Sequence, residues 1–330
     1  MSIKVGIVGA AGYTGGELLR ILVHHPSVEI VFANSKSSAG SPVWKVHHDL
    51  LGDTDLLFSS DLNKDIDVLF LCLGHGDSIQ FIDQNVDFFL QPTFKVIDLS
   101  QDFRLRGKDS HPFLGSFVYG LPELNRELIK KAKNIANPGC FATCIQLGLL
   151  PLASEGLLKE EVHLTAVTGS TGAGQKPTET THFSWRANNL QVYKAFEHQH
   201  LKEIYQSISI LQKDHAPHVN FIPYRGDFAR GIMANAHVKT SLSIEEAYAL
   251  YQKFYKGHPF TIVTDQNLDL KQVVNTNKAF VYLEKHSDYL LVLSIIDNLL
   301  KGASGQAVQN MNLLFGLDEK EGLKLKGLGY

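Results

Sequence analysis

The sequence predicts an α/β protein: a doubly wound parallel sheet followed by a second α+β domain with a mixed or antiparallel sheet. Three observations predict it. Short β-rich runs alternate with helical patterns up to about residue 140. A glycine-rich turn joins the first such run to the first helix. Beyond Cys140 the texture changes to longer stretches of alternating apolar and polar residues.

Taken in order, residues 3–10 are β-rich, and a helical pattern from about 14 to 25 is ended by Pro26. Residues 28–33 read as a second strand, and 67–73 (DVLFLCL) as a strand covered on both faces. Residues 96–99 and 134–136 read as two more. A helix is expected over about 141–155, then strands over 163–168, 219–223, 231–239, 279–284 and 289–296. A helix at 244–255 lies among them, and the tail, 298–315, is again helical.

Composition narrows the class. The chain of 330 residues is long enough for two domains of ordinary size, and 44% apolar with 20% charged residues is a globular balance. A formal net charge of -3 gives no basic field to attract nucleic acid or an anionic membrane. No apolar run approaches the ~20 residues a membrane helix needs. The start, MSIKVGIVGAAG, shows no secretory pattern, and 3 cysteines do not make a disulfide framework. A cytoplasmic setting is expected.

The turn Gly9-Ala10-Ala11-Gly12-Tyr13-Thr14-Gly15-Gly16 has the pattern G-x-x-G-x-x-G at the first strand-to-helix junction. Glycines let a backbone turn sharply and approach a pyrophosphate, which the free N–H groups and dipole of the helix start then hold. Gly9, Ala11, Gly12, Tyr13, Thr14 and Gly15 are therefore expected to bind a dinucleotide in a Rossmann-type domain. The second strand ends in Asn34-Ser35-Lys36-Ser37-Ser38, without the acid that holds a ribose 2′-hydroxyl. Ser35, Lys36 and Ser37 suit a 2′-phosphate, so the cofactor expected is NADP(H). The domains follow: a nucleotide-binding domain over 1–139, completed by a C-terminal helix at about 298–330, and a catalytic and oligomerisation domain over 140–297.

In Asn137-Pro138-Gly139-Cys140-Phe141-Ala142-Thr143 a short strand meets a helix, leaving Cys140 in the first helical turn. Unpaired N–H groups there favour thiolate over thiol and stabilise an oxyanion formed by attack on a carbonyl. Cys140 is thus the expected nucleophile of a thioester-forming enzyme. Cys72 and Cys144 read as buried fillers.

Seven segments in this order carry a resemblance: GAAGYTGGELLRIL (9–22), DLSQDFRL (98–105), YGLPELNR (119–126), NPGCFAT (137–143), GSTGAGQKP (169–177), EHQHLKEI (197–204) and IDNLLKGASGQAVQNMNLLFG (296–316). With them the chain resembles the N-acetyl-γ-glutamyl-phosphate reductases, NADPH-dependent enzymes of arginine biosynthesis. Their architecture is similar to that of aspartate-semialdehyde and glyceraldehyde-3-phosphate dehydrogenases. The resemblance implies attack of Cys140 on a γ-acyl phosphate, loss of phosphate to a thioester, hydride delivery, and collapse to the semialdehyde. It implies a histidine acid/base that maps to His198 or His200, with His198, the first of the element, carried over. It also sets Asn298, Lys301 and Gly302 near the nicotinamide end. The sequence departs from the family's usual pattern at Leu73, before Gly74-His75-Gly76, and at Phe141-Ala142 after the cysteine, which leaves the pocket's shape open.

Other residues complete the expected site. Gly169–Gly174 follows a strand and offers backbone N–H groups, with Gly172 and Gly174 set toward the cofactor and Ser170 toward the substrate. Arg104 and Arg230 are expected to grip the substrate's phosphate or carboxylate, with Asn137 beside them. No metal is expected, because no acid or cysteine cluster completes the histidine pair. The partners expected are a small acyl-phosphate substrate and further copies of the chain, as a dimer or tetramer. Competing readings are the same chemistry on an N-succinyl, carrier-bound aminoadipyl or aspartyl phosphate, a non-catalytic NADP-binding regulator, and a cysteine hydrolase. The last two leave, respectively, the thiol and the nucleotide loop without a role.

Overall fold

The computed structural model describes residues 2–329, which form two compact units. One runs up to Pro138 and takes in Ala303–Lys324; the other is Gly139–Gly302 with the tail from Leu325.

The first unit is built on an eight-stranded sheet. Its strands are β1 (Ile3–Val8), β2 (Val28–Asn34), β3 (Phe58–Ser59), β4 (Val68–Leu71), β5 (Lys95–Asp98), β6 (Ser110–His111), β7 (Gly115–Tyr119) and β8 (Asn134–Ala136). Their order is β3-β2-β1-β4-β5-β8-β7-β6. All neighbours are parallel except β6 and β7. The helices are α1 (Tyr13–Leu22), α2 (Asp77–Gln84), α3 (Val86–Phe89) and α4 (Pro122–Lys131). Strand β4 is buried at all its positions, as its unbroken apolar run requires. The strands β3, β6 and β7 had no legible signal: they are short or carry polar residues, and are defined by their partners.

The second unit opens with α5 (Cys140–Ser154). Its seven-stranded sheet holds β9 (Val162–Thr168), β10 (Gln191–Val192), β11 (Val219–Arg225), β12 (Ile232–Lys239), β13 (Thr261–Thr264), β14 (Ala279–His286) and β15 (Tyr289–Ile296). The order is β10-β11-β9-β12-β15-β14-β13, and pairing is mixed: β9–β11 and β13–β14 are parallel, the rest antiparallel. The helices α6 (Phe183–Arg186), α7 (Leu201–Leu211) and α8 (Ile244–Phe254) complete it. Helix α5 is apolar almost all round and buried from Phe141 to Ala153, packing on β12, β15 and α7. It holds Pro151, which cannot donate to the carbonyl of Leu147. The hydroxyl of Tyr255 donates to that carbonyl instead (2.5 Å), and Tyr251 donates to the next, Gly148 (2.5 Å).

The last helix, α9 (Ser304–Leu314), belongs to the first unit and is buried along its whole length. It starts six residues later than the tail pattern suggests. Asp297 is the reason: its carboxylate accepts the N–H groups of Leu299 (2.8 Å) and Leu300 (3.1 Å), closing a turn, and its carbonyl accepts Gly302 N–H (2.9 Å). Residues 298–302 therefore stay with the second unit rather than with the returning helix. The buried NH2 groups of Asn310 and Asn312 in α9 donate hydrogen bonds, Asn310 to Gly120 O and Asn137 Oδ1, Asn312 to the carbonyls of Glu319 and Glu321. Among the described residues no helix is long and apolar enough to cross a membrane.

Candidate active site

Cys140 is the first residue of α5, with extended Gly139 (φ -71°, ψ 148°) as its N-cap. The thiol is partly exposed. Two groups gather round this turn. Glu203, in the first turn of α7, accepts the N–H of Gly139 at 3.0 Å. The imidazole of His200 lies flat against Gly139, so close that a Cβ there would sit 2.3 Å from Nε2. That same Nε2 is 4.0 Å from the other oxygen of Glu203.

His198 occupies a different environment. Its ring packs edge-on among Phe141 (5.3 Å between centroids), Phe221 (5.6 Å) and Tyr193 (5.8 Å). Its Nδ1 accepts the backbone N–H of His200 at 3.3 Å. Burial, reinforced by the charges of Lys194 and Arg225, pushes its pKa down to about 4, so the ring is neutral at neutral pH.

Two residues that the sequence did not single out join them. Pairing of β10 with β11 sets Val192 opposite Tyr224 and so brings Tyr193 beside Arg225. The guanidinium carbon of Arg225 lies 4.6 Å from the centre of the Tyr193 ring. Its Nε is buried without an acceptor among the described residues. Burial pushes the Tyr193 hydroxyl up to about 12, with the charge of Cys140 acting the same way and Arg225 against it. Tyr193 thus lies within electrostatic reach of Cys140. Of the other cysteines Cys144 is buried and Cys72 half-buried, and desolvation pushes both up to about 12; Cys144 Sγ rests 3.3 Å from Ser294 O.

Several expected contacts have other employment. Arg104 is 4% exposed and donates from Nε to Asn137 O and from a terminal nitrogen to Leu99 O, both at 2.8 Å, so it braces backbone rather than presenting itself to a ligand. Asn137 gives its amide to Ala303 O (3.0 Å) and its oxygen to Asn310 (3.0 Å), tying in α9. Arg230 is bidentate on buried Asp297, at 3.0 and 3.2 Å. The loop 169–174 is not an open nest: Gly169, Ser170 and Thr171 donate to the 228–231 segment, and Gly172 and Gly174 donate within the loop. Asn298 joins the same arrangement, accepting Gly231 N–H (2.8 Å) and donating to Thr171 Oγ1 (3.0 Å). Lys301 is fully buried. Gly302 does reach the thiol's neighbourhood: a Cβ there would lie 2.8 Å from Cys140 Cβ.

In the first unit the glycine turn has the shape a pyrophosphate needs. Gly9 has φ +76°, and a Cβ would sit 2.4 Å from Cys72 O; one on Gly15 would sit 2.6 Å from Gly9 O. Only glycine fits either place. Gly12 caps α1 without a side chain, leaving the helix start open to an anion, with Tyr13 39% exposed. Beyond β2, Ser35 Oγ and Ser37 Oγ lie 3.4 Å apart and Lys36 is exposed. The residues present fit a dinucleotide.

Comparison with known proteins agrees with this division of labour. Residues 4–132 match the family described as semialdehyde dehydrogenase, NAD binding domain, and residues 140–298 match semialdehyde dehydrogenase, dimerisation domain. The N-acetyl-gamma-glutamyl-phosphate reductase of Christiangramia forsetii is 57% identical over 328 residues, spanning 99% of each chain. That of Bacteroides fragilis is 56% identical over 98% of each. The chain belongs to the N-acetyl-γ-glutamyl-phosphate reductase family. The fold is also that of the aspartate semialdehyde dehydrogenase II of Vibrio cholerae, at a TM-score of 0.72 and 18% identity over 96% of this chain and 99% of that one. Glu203 was not singled out in the sequence, although it stands in EHQHLKEI three residues after His200, a spacing that sets it on the same side of α7. Nor were Tyr193 and Arg225: Tyr193 follows a two-residue strand with no periodic signal, and Arg225 lies at the end of β11, beyond the 219–223 stretch that reads as a strand.

Proposed function

We propose that the chain catalyses the NADPH-dependent reduction of N-acetyl-γ-glutamyl phosphate to N-acetylglutamate 5-semialdehyde and phosphate, in cytoplasmic arginine biosynthesis, through a thioester on Cys140. The observation that carries the reading is the packing of His200 and Glu203 onto the Gly139-Cys140 turn, in a chain 57% identical to a reductase of that name.

Cys140 Sγ attacks the γ-carbonyl, and the N–H groups at the start of α5 stabilise the oxyanion until phosphate leaves. When bound at the glycine turn, NADPH supplies the hydride that reduces the thioester carbonyl. Collapse of the thiohemiacetal then releases the aldehyde and returns the thiol. His200 moves the protons, with Glu203 facing any positive charge that arrives on the ring. This departs from the assignment to His198, whose ring sits in an aromatic box and resists protonation down to pH of about 4. His198 instead receives the backbone of His200 and orients it. Arg225, beside Tyr193 and with Nε lacking an acceptor, takes over the anion-holding part assigned to Arg104 and Arg230.

The chain acts as a homo-oligomer. One face of the second sheet is covered by α5, while the other presents His163, Thr165, Asn235 and His237 around an open hollow. This open face is the subunit contact. A substrate panel tests the function: phosphate-dependent NADP reduction is measured with N-acetylglutamate semialdehyde, its N-succinyl analogue and aspartate semialdehyde. The N-acetyl substrate is expected to be used best; preference for another acyl group, or silence with all three, contradicts the reading.

A further inference from the structure

The glycine turn and the Ser35–Ser38 loop meet at one peptide unit. Ala10 donates its N–H to Asn34 O at 3.0 Å, the carbonyl immediately before Ser35. Its own carbonyl receives His47 Nε2 at 2.8 Å. A carbonyl only accepts, so Nε2 carries the hydrogen. The segment between Asn34 and His47 therefore leaves from one side of Ala10 and returns to the other. Within it the chain is stiffened by Gly40 N–H to Phe58 O (2.8 Å), Phe58 N–H to Ser41 O (2.9 Å) and His47 N–H to Val43 O (3.0 Å). The His47 ring also packs edge-on against Phe58, with centroids 6.1 Å apart.

Gly16 explains how the ring reaches Ala10. A Cβ on Gly16 would lie 2.5 Å from both Cε1 and Nδ1 of His47. The second glycine of the Gly15-Gly16 pair thus makes room for the imidazole, while Gly15 makes room for the turn itself, lying against Ala10 Cα and Gly9 O. The G-x-x-G-x-x-G pattern accounts for Gly15 and leaves Gly16 without a purpose; His47 supplies one.

We propose that His47 is a positioning residue for cofactor selection: it fixes the spacing between the pyrophosphate turn and the loop that receives the 2′-phosphate. The inference rests on the assignment of Ser35–Ser37 to that phosphate. His47 touches neither phosphate group in this account. It acts by holding the peptide from which the two loops diverge, so its loss leaves each loop in place but lets their separation drift. A ligand that engages both loops at once loses most; one that engages only the turn loses little.

The test is calorimetric binding of NADPH and NADH to the full-length protein, alongside its thermal melt. Wild type is expected to prefer NADPH; absence of NADPH binding would sink the cofactor assignment itself, separately from the role of His47. His47→Leu is expected to weaken NADPH about tenfold, equivalent to about 1.4 kcal/mol, and NADH less than about threefold. His47→Gln, which keeps a donor at the same reach, is expected to restore NADPH binding to within about threefold of wild type. Gly16→Ala, which displaces the ring without removing it, is expected to reproduce His47→Leu and decides the matter if that variant does not fold. Equal weakening of both nucleotides, or no weakening, in the folded variants overturns the proposal.

Discussion

The imidazole of His200 rests on the Cα of Gly139, the residue before the candidate nucleophile, and no side chain larger than hydrogen fits between them: a Cβ would be 2.3 Å from Nε2. The glycine of the Pro138-Gly139-Cys140 turn is thus a matter of ring access as much as of backbone freedom, since its φ of -71° is open to any residue.

Gly139→Ala is accordingly expected to keep the fold and lose activity. A displacement of the ring of about 1 Å costs on the order of 10²-fold in turnover. Steady-state kinetics would register this as a fall in kcat with nucleotide affinity unchanged. Turnover near the wild-type level would show that His200 need not lie where it does.

The two histidines differ in a way that pH separates. Replacing His200 with Asn is expected to cost about 10²–10⁴-fold in kcat, and replacing His198 with Phe much less. His198 has a folded pKa of about 4, below its ordinary value near 6.5. The unfolded chain takes up that proton first, so the stability His198 contributes is complete above about pH 6.5 and is lost as pH falls through about 4. The loss amounts to roughly 3 kcal/mol at most. Asp98, fully buried and raised to about 6, acts in the opposite sense, its contribution fading as pH rises through 6. Because Asp98 is common to both proteins, the difference in unfolding free energy between wild type and His198→Phe, followed from pH 7 to 4, isolates the histidine. It should shift in the variant's favour on acidification; a difference that does not move with pH contradicts the account of His198.

Pro151 sits inside α5 without breaking it because Tyr255 donates to the carbonyl that the proline cannot serve. Tyr255→Phe leaves that buried carbonyl without this donor, and a loss of about 1–3 kcal/mol is expected from urea unfolding. Activity at low denaturant should remain, since the defect is a turn and more away from Cys140. A variant as stable as wild type would mean that the carbonyl is otherwise served.

Much of this was legible beforehand. The alternating runs of the first unit, the glycine turn and Cys140 at a helix start all follow from local pattern, where steric and hydrogen-bonding rules act within a few residues; the histidine pair came only through the family resemblance. What was illegible depends on partners far along the chain. Arg104 and Arg230 look alike in sequence as candidate anion grips, yet one is spent on backbone carbonyls and the other on Asp297. Arg225, unmarked in sequence, is the one brought beside Tyr193 by a two-residue strand pair. The tail pattern put a helix start at 298, but Asp297 closes a turn that delays it to Ser304. The glycines of 169–174 suggested an open nest, but the N–H groups of Gly169, Ser170 and Thr171 answer carbonyls of a loop some sixty residues later, a pairing no local rule announces, while Gly172 and Gly174 turn back onto the loop itself.

The central claim is that the acyl group passes through Cys140. The most direct measurement is intact-mass spectrometry of the protein after brief exposure to N-acetyl-γ-glutamyl phosphate without NADPH, with Cys140→Ser alongside. The account predicts one added acyl mass on the wild type, mapped to Cys140 and discharged as aldehyde on addition of NADPH, and no thioester on the variant. NADPH-dependent aldehyde formation by Cys140→Ser at the wild-type rate, or an acyl group carried on another residue, would contradict it.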